Sequence, residues 1–94
     1  MLYAVVALDG TDDEAPARRA AVREKHLEGA SALHAAGSMF TGGALIGDNG
    51  QMIGSLMVLE AESEEAVRKL IESDIYTRQG VWPSYQIWPY KKAF

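Results

Sequence analysis

The chain opens on an unbroken apolar run, "LYAVVAL" (Leu2 to Leu8), whose length and β-forming residues predict a strand. "DGTDDEAP" follows as a polar, turn-forming loop. Pro16 suits the first turn of a helix, and Asp12, Asp13 and Glu14 are expected to complement its positive N-terminal end. That helix runs through "VREKHLEGASALHAAG" to Gly37, a natural terminator. "SMFTGGALI" (Ser38 to Ile46) reads as a second strand interrupted at Gly42 and Gly43. "GDNG" signals a hairpin, with Asn49 and Gly50 both suited to positive φ. "QMIGSLMVLE" is the third strand. Ser63 is placed to cap a second helix reaching about Glu72, with Glu64 and Glu65 in its first turn. "SDIYTRQG" predicts a short helical turn ending at Gly80. "VWPSYQIWPYKK" is the last strand, which Pro83 and Pro89 push toward a sheet edge.

The order is βαββαβ, a ferredoxin-like split βαβ pattern of the α+β class, with both helices on one face of a four-stranded antiparallel sheet. The strands carry a second message. Leu2, Ala4, Val6 and Leu8 form one parity of the first strand, and Tyr3, Val5 and Ala7 the other. The third strand likewise alternates Ile53, Met57 and Leu59 against Met52, Leu56 and Val58. A sheet with one solvated face would be polar on one parity. Both parities here are apolar, and no further element remains to cover the second face. Sheet-to-sheet homodimerisation is the simplest solution.

Bulk properties narrow the function. At 94 residues the chain is read as a single domain, residues 1–94. Its formal net charge of −4 argues against nucleic-acid binding, which needs a basic surface. The absence of cysteine excludes disulfides, thiolate zinc sites and thiol nucleophiles. It also fits a cytoplasmic location. The N-terminal run has no basic leader and is too short to cross a membrane. There is neither a serine elbow nor phosphate-loop or dinucleotide spacing, so no nucleotide cofactor is implied.

Two histidines remain, His26 and His34, eight residues apart on the long helix. At about 100° per residue, with Val22 at zero, Leu33 falls near ~20°, His26 near ~40°, Arg19 near ~60°, Ala30 near ~80° and Arg23 near ~100°. His26 therefore shares an arc with apolar residues and two arginines. His34, near ~120°, sits at its margin and reads as structural or solvent-facing. A rise of ~12 Å keeps the two from sharing one metal ion. His26 has two readings: a half-buried histidine satisfied by neighbours, or a general acid/base. The arginines also have two: forks for an anionic substrate group, or ion-pair partners of Asp12, Asp13 and Glu14. Asp74 is an N-cap for its short helix and could also orient a histidine.

Several segments together resemble the YciI-like (YCII-related) family of small dimeric α+β barrel proteins. They are "MLYAVVALD", "ARRAAVREKHL", "GSMFTGGAL", "GSLMVLEAESEEA", "SDIYTRQGVW" and "WPYKKAF". The most specific matches are Arg23-x-x-His26-Leu27 and Asp74-x-Tyr76 with Gly80 four residues later. The resemblance implies a histidine–aspartate active-site pair on His26 and Asp74, and places the family's Gly-Ser on Gly54 and Ser55. Two departures, Ile75 for a usual proline and Ala44 in a usual Gly-Pro-Leu, reshape the cavity rim. Related barrels include muconolactone isomerases and a dehydrochlorinase of a chlorinated hydroxyhydroquinone. The implied function is a cofactor-free lyase or isomerase of a small, anionic, hydroxylated aromatic or cyclic acid from aromatic degradation. Arg19, Arg23, Ser55 and Tyr76 are candidates for holding substrate oxygens. A non-catalytic ligand-binding or accessory dimer is the second reading, and a heme-type monooxygenase with His26 as axial ligand the third.

Overall fold

The computed structural model describes all residues from Met1 to Phe94. Its elements are β1 (Leu2–Leu8), α1 (Ala15–Ala35), β2 (Met39–Ile46), β3 (Met52–Glu60), α2 (Glu64–Ser73), α3 (Ile75–Arg78) and β4 (Ser84–Tyr90). The four strands form one antiparallel sheet in the order β2-β3-β1-β4. This is the ferredoxin-like α+β arrangement read from the hydrophobic pattern. No helix is long and apolar enough to cross a membrane.

The strand register sorts the two faces. Tyr3, Val5 and Ala7 stand opposite Leu59, Met57 and Ser55, and all six are buried on the helix side. Val67 and Ile71 of α2 complete that core, with Val22, Ala30 and Leu33 of α1 packed against it. On the opposite side, Ala4 and Val6 face Val58 and Leu56 of β3, and Ala4 also faces Trp88 of β4. No helix covers this side, and Leu8, Leu56, Trp88 and Tyr90 remain exposed there.

Local chemistry explains the boundaries. Ser63 Oγ accepts the Ala66 N–H at 3.1 Å, the expected cap of α2. Gly37 and Gly80 adopt φ of 82° and 75° after their helices, a conformation in which any Cβ is strained. The acids before α1 stand just ahead of its first turn, at its positive end, with Glu14 at the cap position making no side-chain cap bond. Three expectations need correction. The strand β2 runs unbroken through Gly42 and Gly43, and its register shifts lie at Met39/Thr41 and Leu45/Ile46 instead. In the β2–β3 turn only Gly50 has positive φ, because the Asn49 side chain instead accepts the Gln51 N–H at 3.0 Å. Finally, β4 begins at Ser84, since Val81 and Trp82 are drawn into the core ahead of the strand.

Candidate active site

The long helix brings His26 against the end of α2. There Asp74 both closes one helix and opens the next. Its Oδ1 accepts the Tyr76 N–H at 2.9 Å, capping α3, and lies 2.9 Å from His26 Nδ1. A carboxylate accepts, so Nδ1 donates to Asp74, and Nε2 has no protein partner. The pair is largely shielded, with side-chain exposures of 11% and 17%. This is the histidine that helical phase set apart, and His34 is exposed.

Tyr76 fixes the imidazole plane. The two rings stack with centroids 3.8 Å apart and planes 8° from parallel. Trp82 meets both edge-on, at 5.5 Å from His26 and 5.2 Å from Tyr76. The Arg19 guanidinium lies 4.9 Å from the Tyr76 centroid. Tyr76 is fully buried and its hydroxyl has no protein partner. Burial pushes this phenol above its ordinary range, against the opposing fields of Arg19 and Arg23. It therefore remains a hydrogen-bond donor well into alkaline solution.

The two arginines part company. Arg19 is buried, and its Nη1 donates to both carboxylate oxygens of Asp9 at 2.9 and 3.0 Å. Its Nη2 donates to Ser55 Oγ at 3.2 Å. The expected cluster with Asp12, Asp13 and Glu14 does not include it: Arg18, one residue earlier, takes Asp12 at 2.7 and 3.1 Å. Arg23 is exposed and bonds to no carboxylate.

A cavity of about 130 Å³ lies between α1 and the sheet, lined by Arg19, Arg23, His26, Ser55 and Tyr76 among others. All the proposed site residues except Asp74 thus open onto one space, and Asp74 reaches it through His26. On its other side His26 borders an open groove with Asp74, Lys25 and Arg78. A separate depression of about 440 Å³ beside Asp9, Asp12 and Asp13 contains no histidine. No third metal-ligating side chain joins His26 and Asp74.

Two residues escape a reading of the sequence. Asp9 looks like the first residue of a turn, yet it anchors Arg19 across the cavity floor. Its one signal is a carboxylate directly abutting an apolar strand. Trp82, which walls the histidine, looks like strand and gives no such signal.

Comparison with known proteins identifies relatives of the chain and of its fold. The model of the YCII-related domain matches residues 1–91. Protein YciI of Escherichia coli O6:H1 is 33% identical, with both chains covered in full. Aspartate kinase FUB3 of Fusarium oxysporum f. sp. lycopersici is 38% identical over 82% of this chain, which spans only 16% of that protein. Among solved structures, 5-chloro-2-hydroxyhydroquinone dehydrochlorinase (TftG) of Burkholderia phenoliruptrix AC1100, in complex with 2,5-dihydroxybenzoquinone, superposes with a TM-score of 0.83. It is 26% identical, over 97% of this chain and 94% of that one. With the family model matched over nearly the whole chain and a relative covered in full, the chain belongs to the YCII-related family.

Proposed function

We propose that the protein is a lyase or isomerase that moves a proton on a small hydroxylated aromatic or cyclic acid, using His26 and Asp74 as its acid/base pair. The observation that carries this reading is the 2.9 Å contact between His26 Nδ1 and Asp74, with Nε2 left unpaired beside a cavity. Asp74 holds the tautomer and stabilises the imidazolium once Nε2 has taken a proton. Tyr76 and Ser55 supply hydroxyl donors for substrate oxygens, where charge develops as the proton leaves. The similarity to a dehydrochlorinase supports elimination as the reaction class.

A positioned acid/base group contributes roughly 10²–10⁴-fold to a rate. The test follows chloride release from 5-chloro-2-hydroxyhydroquinone and solvent deuterium uptake into muconolactone. His26→Asn should lower whichever rate is found by at least roughly 10²-fold while the fold is retained. A variant that keeps its rate within tenfold removes the mechanism.

An accessory, non-catalytic role is the second reading. It is favoured by the FUB3 relative, in which the matching region is a small part of a much larger protein. Inertness of the unaltered protein toward both substrates would move the balance to it.

The same reading includes a homodimer. The exposed Leu8, Leu56, Trp88 and Tyr90 on the uncovered sheet face support a second copy packed there. Sedimentation at micromolar concentration should give a dimer, and Leu56→Arg a monomer. A monomeric unaltered protein would end this part of the proposal.

A further inference from the structure

The two cavity arginines differ in what they can offer a ligand. Arg19 is held on three sides: Asp9 accepts twice from Nη1, Ser55 Oγ accepts from Nη2, and the Tyr76 ring covers one face. Its charge is matched by Asp9, and its one buried nitrogen without a partner, Nε, is shut off from solvent. Arg23, one helical turn further along α1, meets no carboxylate and lies exposed at the cavity rim. Leu27, Gly42, Gly43 and Ala44, all exposed, line the same space beside it, and nothing lies within 4 Å of where a Cβ on Gly43 would stand. Around this space Arg19 and Asp9 cancel each other, leaving Arg23 and Asp74 as the unmatched charges. Asp74 lies behind the imidazole, whereas Arg23 lies at the mouth.

Size is the second constraint. A cavity of about 130 Å³ is close to the ~150 Å³ that accepts one benzene ring. Its interior carries Met39 and Met57 as apolar walls. A ring lodged there would leave a substituent at the mouth, where the guanidinium fork matches the two oxygens of a carboxylate.

We propose that Arg23, and not Arg19, is the anion receptor of this cavity, and that the site selects a single-ring carboxylate. This deepens the acid/base reading, because it rests on the same cavity, and it narrows the two test substrates to muconolactone, which carries a carboxylate as the chlorinated hydroxyhydroquinone does not.

Equilibrium binding tests the assignment without any turnover, so its outcome is separate from that of the acid/base mechanism. Benzoate, phenol and 1-naphthoate are titrated into the full chain by calorimetry, at low and at physiological salt. The unaltered protein should bind benzoate more tightly than phenol or 1-naphthoate. Arg23→Gln should weaken benzoate by roughly tenfold or more, the amount that a hydrogen bond to a charged group carries, and leave phenol unchanged. Arg23→Lys should recover part of the loss, keeping the charge without the fork. Benzoate affinity unchanged in Arg23→Gln, or no benzoate binding at millimolar concentration, overturns the receptor assignment. Equal binding of 1-naphthoate overturns the single-ring limit.

Discussion

The buried pair of Asp9 and Arg19 offers the sharpest test of how the cavity floor is held. Their side chains are 5% and 7% exposed, and one guanidinium nitrogen bridges both carboxylate oxygens. Asp9→Asn keeps the shape and one acceptor but removes the charge, and turns an amide group toward a cation. Breaking one partner of a buried pair costs about 3–5 kcal/mol, because the survivor is left uncompensated in low dielectric. Small domains have only about 5–15 kcal/mol in total, so roughly a fifth of the stability or more is at stake. With a urea slope of ~1.5 kcal/mol per molar, within the usual ~1–3 range, the midpoint should fall by roughly 2–3 M. The measurement is urea unfolding at one fixed protein concentration, so that any self-association contributes alike. The double variant Asp9→Leu with Arg19→Met separates charge from packing. Replacing a whole buried pair by apolar groups is close to neutral, or stabilising by about 1–4 kcal/mol. The reasoning fails if Asp9→Asn costs under about 1 kcal/mol, or if the double variant costs as much as the single.

Two further outcomes follow from close geometry. A Cβ on Gly54 would stand 2.6 Å from the Ala7 carbonyl oxygen and 3.1 Å from Leu8 Cδ2. Gly54→Ala should therefore cost about 1–3 kcal/mol, read as a fall in Tm of several degrees, and an unchanged Tm would show that the strands have room to part. Burial raises the Tyr76 phenol, so between the folded and unfolded states the unfolded chain loses this proton first. The contribution is full below a phenol's ordinary pKa of about 10 and fades as pH rises through the folded value. Tyr76→Phe should flatten that alkaline decline, and, because the hydroxyl has no protein partner, should cost little at neutral pH. Equal alkaline slopes in the two proteins would exclude Tyr76 as the group responsible.

Local pattern and tertiary contact divide what the chain discloses on its own. The doubly apolar strands were readable because alternation is a property of neighbours, and the register places Leu56 and Met57 on opposite faces as that alternation requires. Helical phase likewise parted His26 from His34 with no knowledge of what packs against either. The arginines lay beyond that method. Arg18, Arg19 and Arg23 share one helix and one charge, and three nearby acids offered equally good partners. What decides between them is Asp9, ten residues before Arg19 and fixed in place by the end of β1. Its backbone N–H donates to the Ile53 carbonyl at 2.9 Å, extending the strand pairing by one residue. A residue that reads as the start of a turn is thus the last rung of a sheet, and the sheet aims its carboxylate inward. Asp74 shows the complementary case. Its capping role is local and was legible, whereas its contact with His26, 48 residues away, is made only by packing. The cap makes that contact reliable: the same oxygen that starts α3 is locked by the Tyr76 N–H, and Tyr76 in turn locks the ring it stacks on. Removing the cap would loosen both ends of the His26–Asp74 contact at once. Asp74 and Tyr76 are therefore one positioning unit whose two members sit two residues apart.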